Sequence, residues 1–256
     1  MEKEYFVAKD SIVREIWGKS DTILFIFAGA SAEFALNKAV DWLYFTGKLP
    51  KDPLGRLFST VSYAREIVFA DKQSAINAIE RINQIHSSVE NKRGKKIPDW
   101  AYRNVLFMLI DYSVRSFEIL ERPLRIEEKE EVFKVFREVG CRMGIKDLPK
   151  DFSHYEIMRE QHLEQHLYSG KYTEDLYSQY RKHLGFIRYN LLIETQKLIT
   201  PETVRKMLGL NGLSLLKPLI IMYKFSRSFH LDKLLKSLLL PPDYKDEIRS
   251  LDRITT

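Results

Sequence analysis

The sequence of 256 residues predicts an all-α fold, arranged as a single helical bundle of about eight to ten helices. Glycine and proline are scarce, at 11 and 9 residues, which favours long uninterrupted elements over many short strands. Apolar residues recur at every third or fourth position, so each predicted helix has one face to bury. No long stretch alternates apolar and polar residues, which is the pattern of a half-buried strand.

Two segments show the helical spacing most clearly. The first stripe consists of Leu54, Leu57, Val61, Ala64 and Val68. The second stripe consists of Tyr177, Tyr180, Leu184, Ile187, Leu191 and Leu198. Each stripe predicts a helix that packs one apolar face against the rest of the bundle.

Residue types that cap helices mark the ends of the predicted elements. The predicted N-caps are short polar side chains, at Asp52, Asp71, Ser153 and Thr200. The predicted stops are glycines that follow an apolar stripe, at Gly144, Gly170 and Gly209. Because no repeat, low-complexity tract or Pro/Gly-rich linker interrupts these elements, we expect one domain over residues 1–256.

The net charge of +6 raises the question of a nucleic-acid partner. The basic residues are mostly dispersed, and their only dense cluster is Lys92, Arg93, Lys95 and Lys96. A solvated loop accounts for that cluster, and no aromatic residues are interleaved with it. We therefore expect no binding to nucleic acid.

The sequence offers no export or membrane-spanning signal, and we expect a cytoplasmic protein without stable membrane insertion. The N-terminus has no basic region followed by an apolar one, and the single Cys141 fits a reducing compartment. The apolar run of residues 22–32 is too short to cross a bilayer and predicts a buried helix. The leucine- and lysine-rich tail of residues 213–240 is expected to cover the core, with a membrane surface as the alternative.

The helix predicted after Asp71 carries a histidine on its apolar stripe. That stripe consists of Ala75, Ile79, Ile82, His86 and Val89. It directs the imidazole of His86 inward, where a neutral ring nitrogen can serve as an axial ligand to haem iron. A hydrogen-bonded core histidine accounts for the same spacing.

A cation and a hydroxyl share one face of the preceding helix. Arg56 and Thr60 are four residues apart, so they lie one above the other beside the apolar seam. Such a pair can address an oxygen ligand or a haem propionate. The alternative is a surface arginine paired with an acid and a threonine bonded to its own helix.

A second candidate site is the pair His162 and His166, one helical turn apart on what we expect to be an exposed face. This spacing lets two imidazoles share a metal, but no third ligand is identifiable. The Glu-x-x-His motif of di-iron helical bundles does not occur at any of the six histidines. A Cys-x-x-Cys-His motif is also missing, so any haem is held without covalent attachment.

Residues 52–89 carry the pattern that suggests a family. The pattern is Asp52-Pro53-x-Gly55-Arg56, Thr60 four residues after the arginine, Val68-Phe69, and Ile85-His86-x-x-Val89. This segment resembles the catalytic domain shared by latex-clearing rubber oxygenases and the ER-bound oxygenase of mycophenolic acid biosynthesis. The similarity continues through Leu109-Ile110-Asp111 and Pro123-Leu124, then more weakly to Leu208-Gly209.

The resemblance implies a globin-like helical core that binds haem b, an iron cofactor. It assigns His86 as the proximal iron ligand, and it places Arg56 and Thr60 on the distal side, where they act on dioxygen. The sequence also departs from the family pattern. Ser59 stands where latex-clearing proteins have a lysine. Ala28-Gly29-Ala30 replaces Ala-His-Pro, and Asn104-Val105-Leu106 replaces Trp-x-His.

The resulting hypothesis is a haem-b-dependent oxygenase that combines dioxygen with a small apolar, unsaturated substrate of isoprenoid or lipid type. Two alternatives remain open. One is a haem-binding sensor or carrier without turnover, and the other is a helical interaction protein without a cofactor.

Overall fold

A computed structural model describes residues 4–47 and 51–226 of the chain, and these residues form eleven helices. In chain order they are α1 (Ile12–Trp17), α2 (Ser20–Leu36), α3 (Val40–Phe45), α4 (Pro53–Phe69), α5 (Lys72–Arg93), α6 (Asp99–Leu120), α7 (Ile126–Arg142), α8 (Phe152–Gln165), α9 (Lys171–Ile199), α10 (Glu202–Met207) and α11 (Leu216–Ser226). Eight of them are long, and the described residues contain no strand. The predicted all-α, single-domain fold is confirmed.

The second helix, α2, lies at the centre of the bundle. Twelve of its 17 residues are buried, because it packs against α6 on one side and α9 on the other. Its apolar run is the buried helix that the sequence predicts. Trp17, just before α2, is fully buried and donates from Nε1 to Ser113 Oγ of α6 at 3.0 Å. Within the described ranges no helix combines the length and the apolarity that a membrane crossing requires.

Capping side chains set several helix ends, and two predicted caps are confirmed. Asp52 accepts from Gly55 N at 2.8 Å and begins α4, and Asp71 accepts from Ser74 N at 2.9 Å and begins α5. The cap of α8 is Asp151 and not Ser153, since the Asp151 carboxylate reaches His154 N at 2.9 Å. The cap of α10 is Pro201, one residue after Thr200.

The glycine stops are correct at two of three positions. Gly144 and Gly209 follow α7 and α10 in the left-handed conformation, with φ of 74° and 64°. Gly170 does not end a helix, because α8 already ends at Gln165. It precedes α9 in an extended conformation and begins that helix.

The helix α9 is a hairpin with two arms. Gly185 has φ 70° and ψ 178°, a conformation that breaks the helix between residues 171–184 and 186–199. The Tyr177 hydroxyl donates to Gln196 Oε1 at 2.9 Å. On a straight helix, residues 19 positions apart are about 28 Å apart, so the second arm returns along the first. The predicted single stripe is therefore wrong at Ile187, which is 78% exposed beside the turn.

The dense basic cluster is not simply a solvated loop. Lys92 and Arg93 form the last turn of α5, which ends at Gly94 with φ 67°. Arg93 donates to Asp41 Oδ2 at 2.6 Å and lies 4.0 Å from the ring centre of Trp42. The cluster is thus partly neutralised by contacts between α5 and α3.

Candidate functional site

The imidazole of His86 lies where the apolar stripe of α5 leaves the core. Ala75 and Ile79 at the start of the stripe are fully buried, whereas Ile82, His86 and Val89 are half-buried. The Nδ1 atom of His86 is shielded from solvent. The edge of its ring faces Tyr102 of α6, with 5.0 Å between the ring centres.

His86 lines a cleft of about 430 Å³ between the second half of α5, the start of α6 and the segment after α7. The apolar part of the wall is formed by Ile97, Met143 and Ile145. The polar part includes Asn83, Ser87, Lys96, Asp99 and Lys146. The apolar stripe of α5 predicts mainly apolar surroundings for His86, but the cleft is more polar than that. The reason is that the last turns of α5 carry charged residues and face away from the core.

Glu90 is the polar centre of this cleft, and sequence reasoning missed it. Its carboxylate accepts from Lys96 Nζ at 2.7 Å, Ile97 N at 2.9 Å and the Tyr102 hydroxyl at 3.2 Å. Burial favours a higher pKa for Glu90, but the bonds from Lys96 and Ile97 outweigh it and lower the pKa. Burial and the Glu90 charge raise the pKa of Tyr102, so this phenol stays protonated. Glu90 therefore fixes the ring that contacts His86.

Thr60 is not brought into this cleft by the described structure. It is half-buried on α4, and no described residue of α4 is among those that line the cleft. The helices α4 and α5 are joined by Ala70 and Asp71, and Glu66 accepts a hydrogen bond from Arg81 between them. The side chain of Arg56 lies outside the described part of the chain.

The pair His162 and His166 is not on an exposed face, as the sequence suggested. His162 is only 5% exposed, because its ring packs against Phe107, and His166 stacks flat on Trp100 at 4.3 Å. Their own ring centres are 4.7 Å apart. In the described ranges, no three histidine, cysteine or acidic side chains come together as a metal-binding group.

Burial has a clear effect on the titration of His162. It lowers the pKa of this imidazole to about 3, and the neighbouring His166, Arg159 and Arg103 act in the same direction. The unfolded chain takes up a proton at this residue below its usual pKa of 6.5, and the folded chain does not. The neutral His162 ring therefore makes its full contribution to the free energy of unfolding above pH 6.5, and this contribution is lost as the pH falls towards 3.

We expect acidification to destabilise the protein through His162. Between pH 6.5 and about pH 5 the free energy of unfolding should fall by about 2 kcal/mol, since one proton contributes about 1.4 kcal/mol per pH unit. Urea unfolding at several pH values measures this slope. His162→Gln should flatten the slope, and exposed His183→Gln should leave it unchanged. If the free energy of unfolding of His162→Gln depended on pH as it does in the unchanged chain, His162 would not be the cause of the acid sensitivity.

A buried network of charges joins three helices next to this histidine pair. Arg159 of α8 donates to Glu33 of α2 at 2.6 and 2.5 Å and to Asp111 of α6 at 2.9 Å. Glu33 is fully buried, and the Tyr112 hydroxyl donates to it at 2.9 Å. Burial favours a higher pKa for Asp111, but Arg159 and Arg115 outweigh it and hold the pKa below its usual value. Sequence reasoning missed this network, although an acid inside an apolar helix is a signal of a buried partner.

Gly29 is required by the packing of Tyr112. A Cβ atom on residue 29 would lie 2.2 Å from the Tyr112 ring. Gly29 is the residue that replaces the histidine of the family pattern Ala-His-Pro. The Tyr112 ring thus occupies the space into which a side chain at position 29 would project.

We expect Gly29→Ala to lower the free energy of unfolding by about 3 kcal/mol, because Tyr112 is fully buried and cannot move aside without cost. Chemical denaturation measures the effect. In a Tyr112→Ala background the same substitution should cost much less, because the clash is gone. Equal costs in the two backgrounds would show that the ring contact is not responsible.

Comparison with known proteins agrees with the resemblance drawn from residues 52–89. Residues 18–225 match the family model described as ER-bound oxygenase mpaB/B'/Rubber oxygenase, catalytic domain. No curated protein and no solved structure matches the chain. The matched range contains α2 to α10, including His86, Gly29 and the buried charge network. The chain therefore belongs to the family of mpaB/rubber oxygenase catalytic domains.

Proposed function

We propose that this protein is a haem-b-dependent oxygenase in which His86 is the axial ligand of the iron. The observation that carries the proposal is the placement of a half-buried imidazole in the wall of a 430 Å³ cleft in an oxygenase family member. Sites for cofactors and small molecules commonly have volumes of about 300 to 1,000 Å³. Histidine is a common axial ligand of haem iron.

The residues around the cleft fit a haem group. Nδ1 of His86 is shielded from solvent, so we assign Nε2 as the ring nitrogen that binds the iron. Ile97, Met143 and Ile145 offer apolar contacts for a porphyrin, and Lys146 offers positive charge for a propionate, whereas Lys96 is paired with Glu90. Bound haem b supplies the iron chemistry that activates dioxygen.

Two residues of the chain hold the imidazole of His86 in place. Tyr102 holds the edge of the His86 ring, and Glu90 holds the Tyr102 hydroxyl. This arrangement restricts rotation of the imidazole. We assign Tyr102 and Glu90 as positioning residues for His86.

Arg56 and Thr60 are proposed to act on dioxygen as hydrogen-bond donors, following their place in the family pattern. Thr60 is half-buried on α4. For the substrate we propose a small apolar, unsaturated molecule of isoprenoid or lipid type, in a protein that works in the cytoplasm as one domain. The proposed substrate class follows from the family, whose description includes rubber oxygenases.

Absorbance spectroscopy of the full chain with added haemin tests the proposal. We expect a Soret band with saturation at one haem per chain, together with oxygen consumption when an unsaturated isoprenoid is supplied. A protein that takes up no haem would overturn the proposal in favour of a cofactor-free interaction protein. Haem uptake without oxygen consumption on any apolar substrate would favour the sensor or carrier.

A further inference from the structure

The turn of the α9 hairpin projects two apolar side chains into solvent. Phe186 and Ile187 follow Gly185 directly and are 73% and 78% exposed. The contacts that hold the hairpin to the bundle lie further down the arms. They include the hydrogen bonds from Thr173 to Ala35 O and from Gln196 to Ala28 O. The tip is therefore a convex end of the molecule and not the wall of a groove.

The exposure of this pair is costly in water. Single exposed apolar residues are common on protein surfaces, but an adjacent aromatic and β-branched pair at the apex of a hairpin is not. Leu184, just before the turn, belongs with Tyr177, Tyr180 and Tyr189 to an apolar cluster that the hairpin forms with α2 and α3. Phe186 and Ile187 are not part of that cluster. They remain available for a contact outside the chain.

The chain segment that forms the tip carries charges of one sign only. Residues 176–193 contain three cations and no acidic residue, and the cations are Arg181, Lys182 and Arg188. Arg181 and Lys182 are exposed, one turn before Gly185. Long basic side chains at this distance from an apolar tip can reach phosphate groups while the tip enters an apolar layer. This charge pattern complements an anionic surface.

A second exposed apolar pair lies beside the returning arm. Leu213 and Leu215 are 84% and 75% exposed. The backbone N of Leu215 donates to Glu194 Oε2 at 2.6 Å, and Ser214 Oγ donates to Glu194 O at 2.8 Å. Glu194 is eight residues after Phe186, which corresponds to about 12 Å along the arm. A second exposed apolar pair therefore lies beside the same arm, about 12 Å from the tip.

We propose that the α9 hairpin docks on an anionic lipid bilayer, with Phe186 and Ile187 in the interface and Arg181 and Lys182 on the headgroups. A bilayer suits this feature because its interface deforms around a convex apolar tip, whereas a protein partner must supply a matching pocket. Apolar side chains and nearby cations act together in such interfacial binding. The docking does not depend on the proposed haem chemistry, but it would bring an oxygenase to apolar substrates dissolved in lipid.

Co-sedimentation of the full chain with vesicles tests the proposal. We expect binding to vesicles of phosphatidylcholine with phosphatidylserine, weaker binding to phosphatidylcholine alone, and release by salt. The double variant Phe186→Ser/Ile187→Ser should weaken binding about tenfold or more, because the apolar contact is lost. Arg181→Ala/Lys182→Ala should weaken binding about 30-fold, at about 1 kcal/mol for each cation near the surface.

The matched control is Ile157→Ser, which changes an isoleucine of α8 that is 59% exposed but has no place in the hairpin. This variant should bind vesicles like the unchanged chain. All variants should keep their Soret band, so a failure of haem binding is distinguished from a failure of docking. Equal binding of the tip and control variants would overturn the proposal. A change in oligomeric state caused by the tip variants would overturn it as well, in favour of a second copy of the chain at the tip.

Discussion

Replacing His86 by alanine is expected to remove the Soret band of the haem-loaded protein and its oxygen consumption. The imidazole is the proposed protein ligand of the iron, and alanine has no atom that can replace it. The half-buried position of His86 beside Tyr102 means that loss of the ring leaves the fold intact. Titration with haemin, followed by absorbance, measures the loss of affinity. We expect at least a tenfold increase in the dissociation constant.

Two further variants separate ligation from a general effect on the fold. His183→Ala changes an exposed histidine and should retain the Soret band and oxygen consumption. His86→Gly leaves a space into which added imidazole can enter, so imidazole should restore the band. An unchanged Soret position and haem affinity in His86→Ala would assign the ligand to another residue.

Replacing Arg159 by alanine is expected to have the largest effect on stability. The side chain is the only cation that contacts both Glu33 and Asp111 among the described residues, and its loss leaves two carboxylates without that partner in the core. Breaking a buried ion pair in this way costs about 3 to 5 kcal/mol. Domains are stable by about 5 to 15 kcal/mol in total, so Arg159→Ala should lose a large part of the free energy of unfolding and unfold at a much lower urea concentration. Urea denaturation followed by circular dichroism measures the change.

The comparison for Arg159→Ala is Arg142→Ala, which removes an ion pair with Glu138 on the surface of α7. Exposed pairs contribute about 0 to 1 kcal/mol, so this variant should remain folded. Arg159→Lys should also be destabilised, since an ammonium group cannot make the two parallel bonds to Glu33. Similar unfolding midpoints for Arg159→Ala and Arg142→Ala would show that the network contributes little.

The sequence predicts the local features of the fold well, because these depend on nearby residues. Asp52 and Asp71 begin their helices as capping rules predict, and the apolar run of residues 22–32 is the buried centre of α2. The hairpin in α9 could not be predicted in this way. The apolar spacing continues across Gly185, and only the backbone conformation of that residue shows that the second arm turns back. Ile187 was consequently assigned to a buried face.

The candidate site could also be predicted only where it depends on residues that are close together in the sequence. The stripe of α5 predicts an inward-facing His86, and the ring is half-buried in the structure, because the stripe does not show where the core ends. The burial of Glu33 could not be predicted, because its partner Arg159 is 126 residues away in the sequence. His162 was expected to be exposed for the same reason, since Phe107 and Trp100 come from another helix. The role of Arg56 stays a prediction.

The buried network has a consequence for how this chain acquires its structure. Glu33 and Asp111 are synthesised long before Arg159, and during that time neither carboxylate has the guanidinium that neutralises it in the core. In an N-terminal fragment that stops before α8, Asp111 keeps its contact with Arg115, whereas Glu33 would be buried without a cationic partner among the described residues, which costs several kcal/mol. We therefore expect helices α2 and α6 to reach their full stability only after α8 has emerged from the ribosome. A fragment that ends before residue 159 should be less stable than the complete bundle.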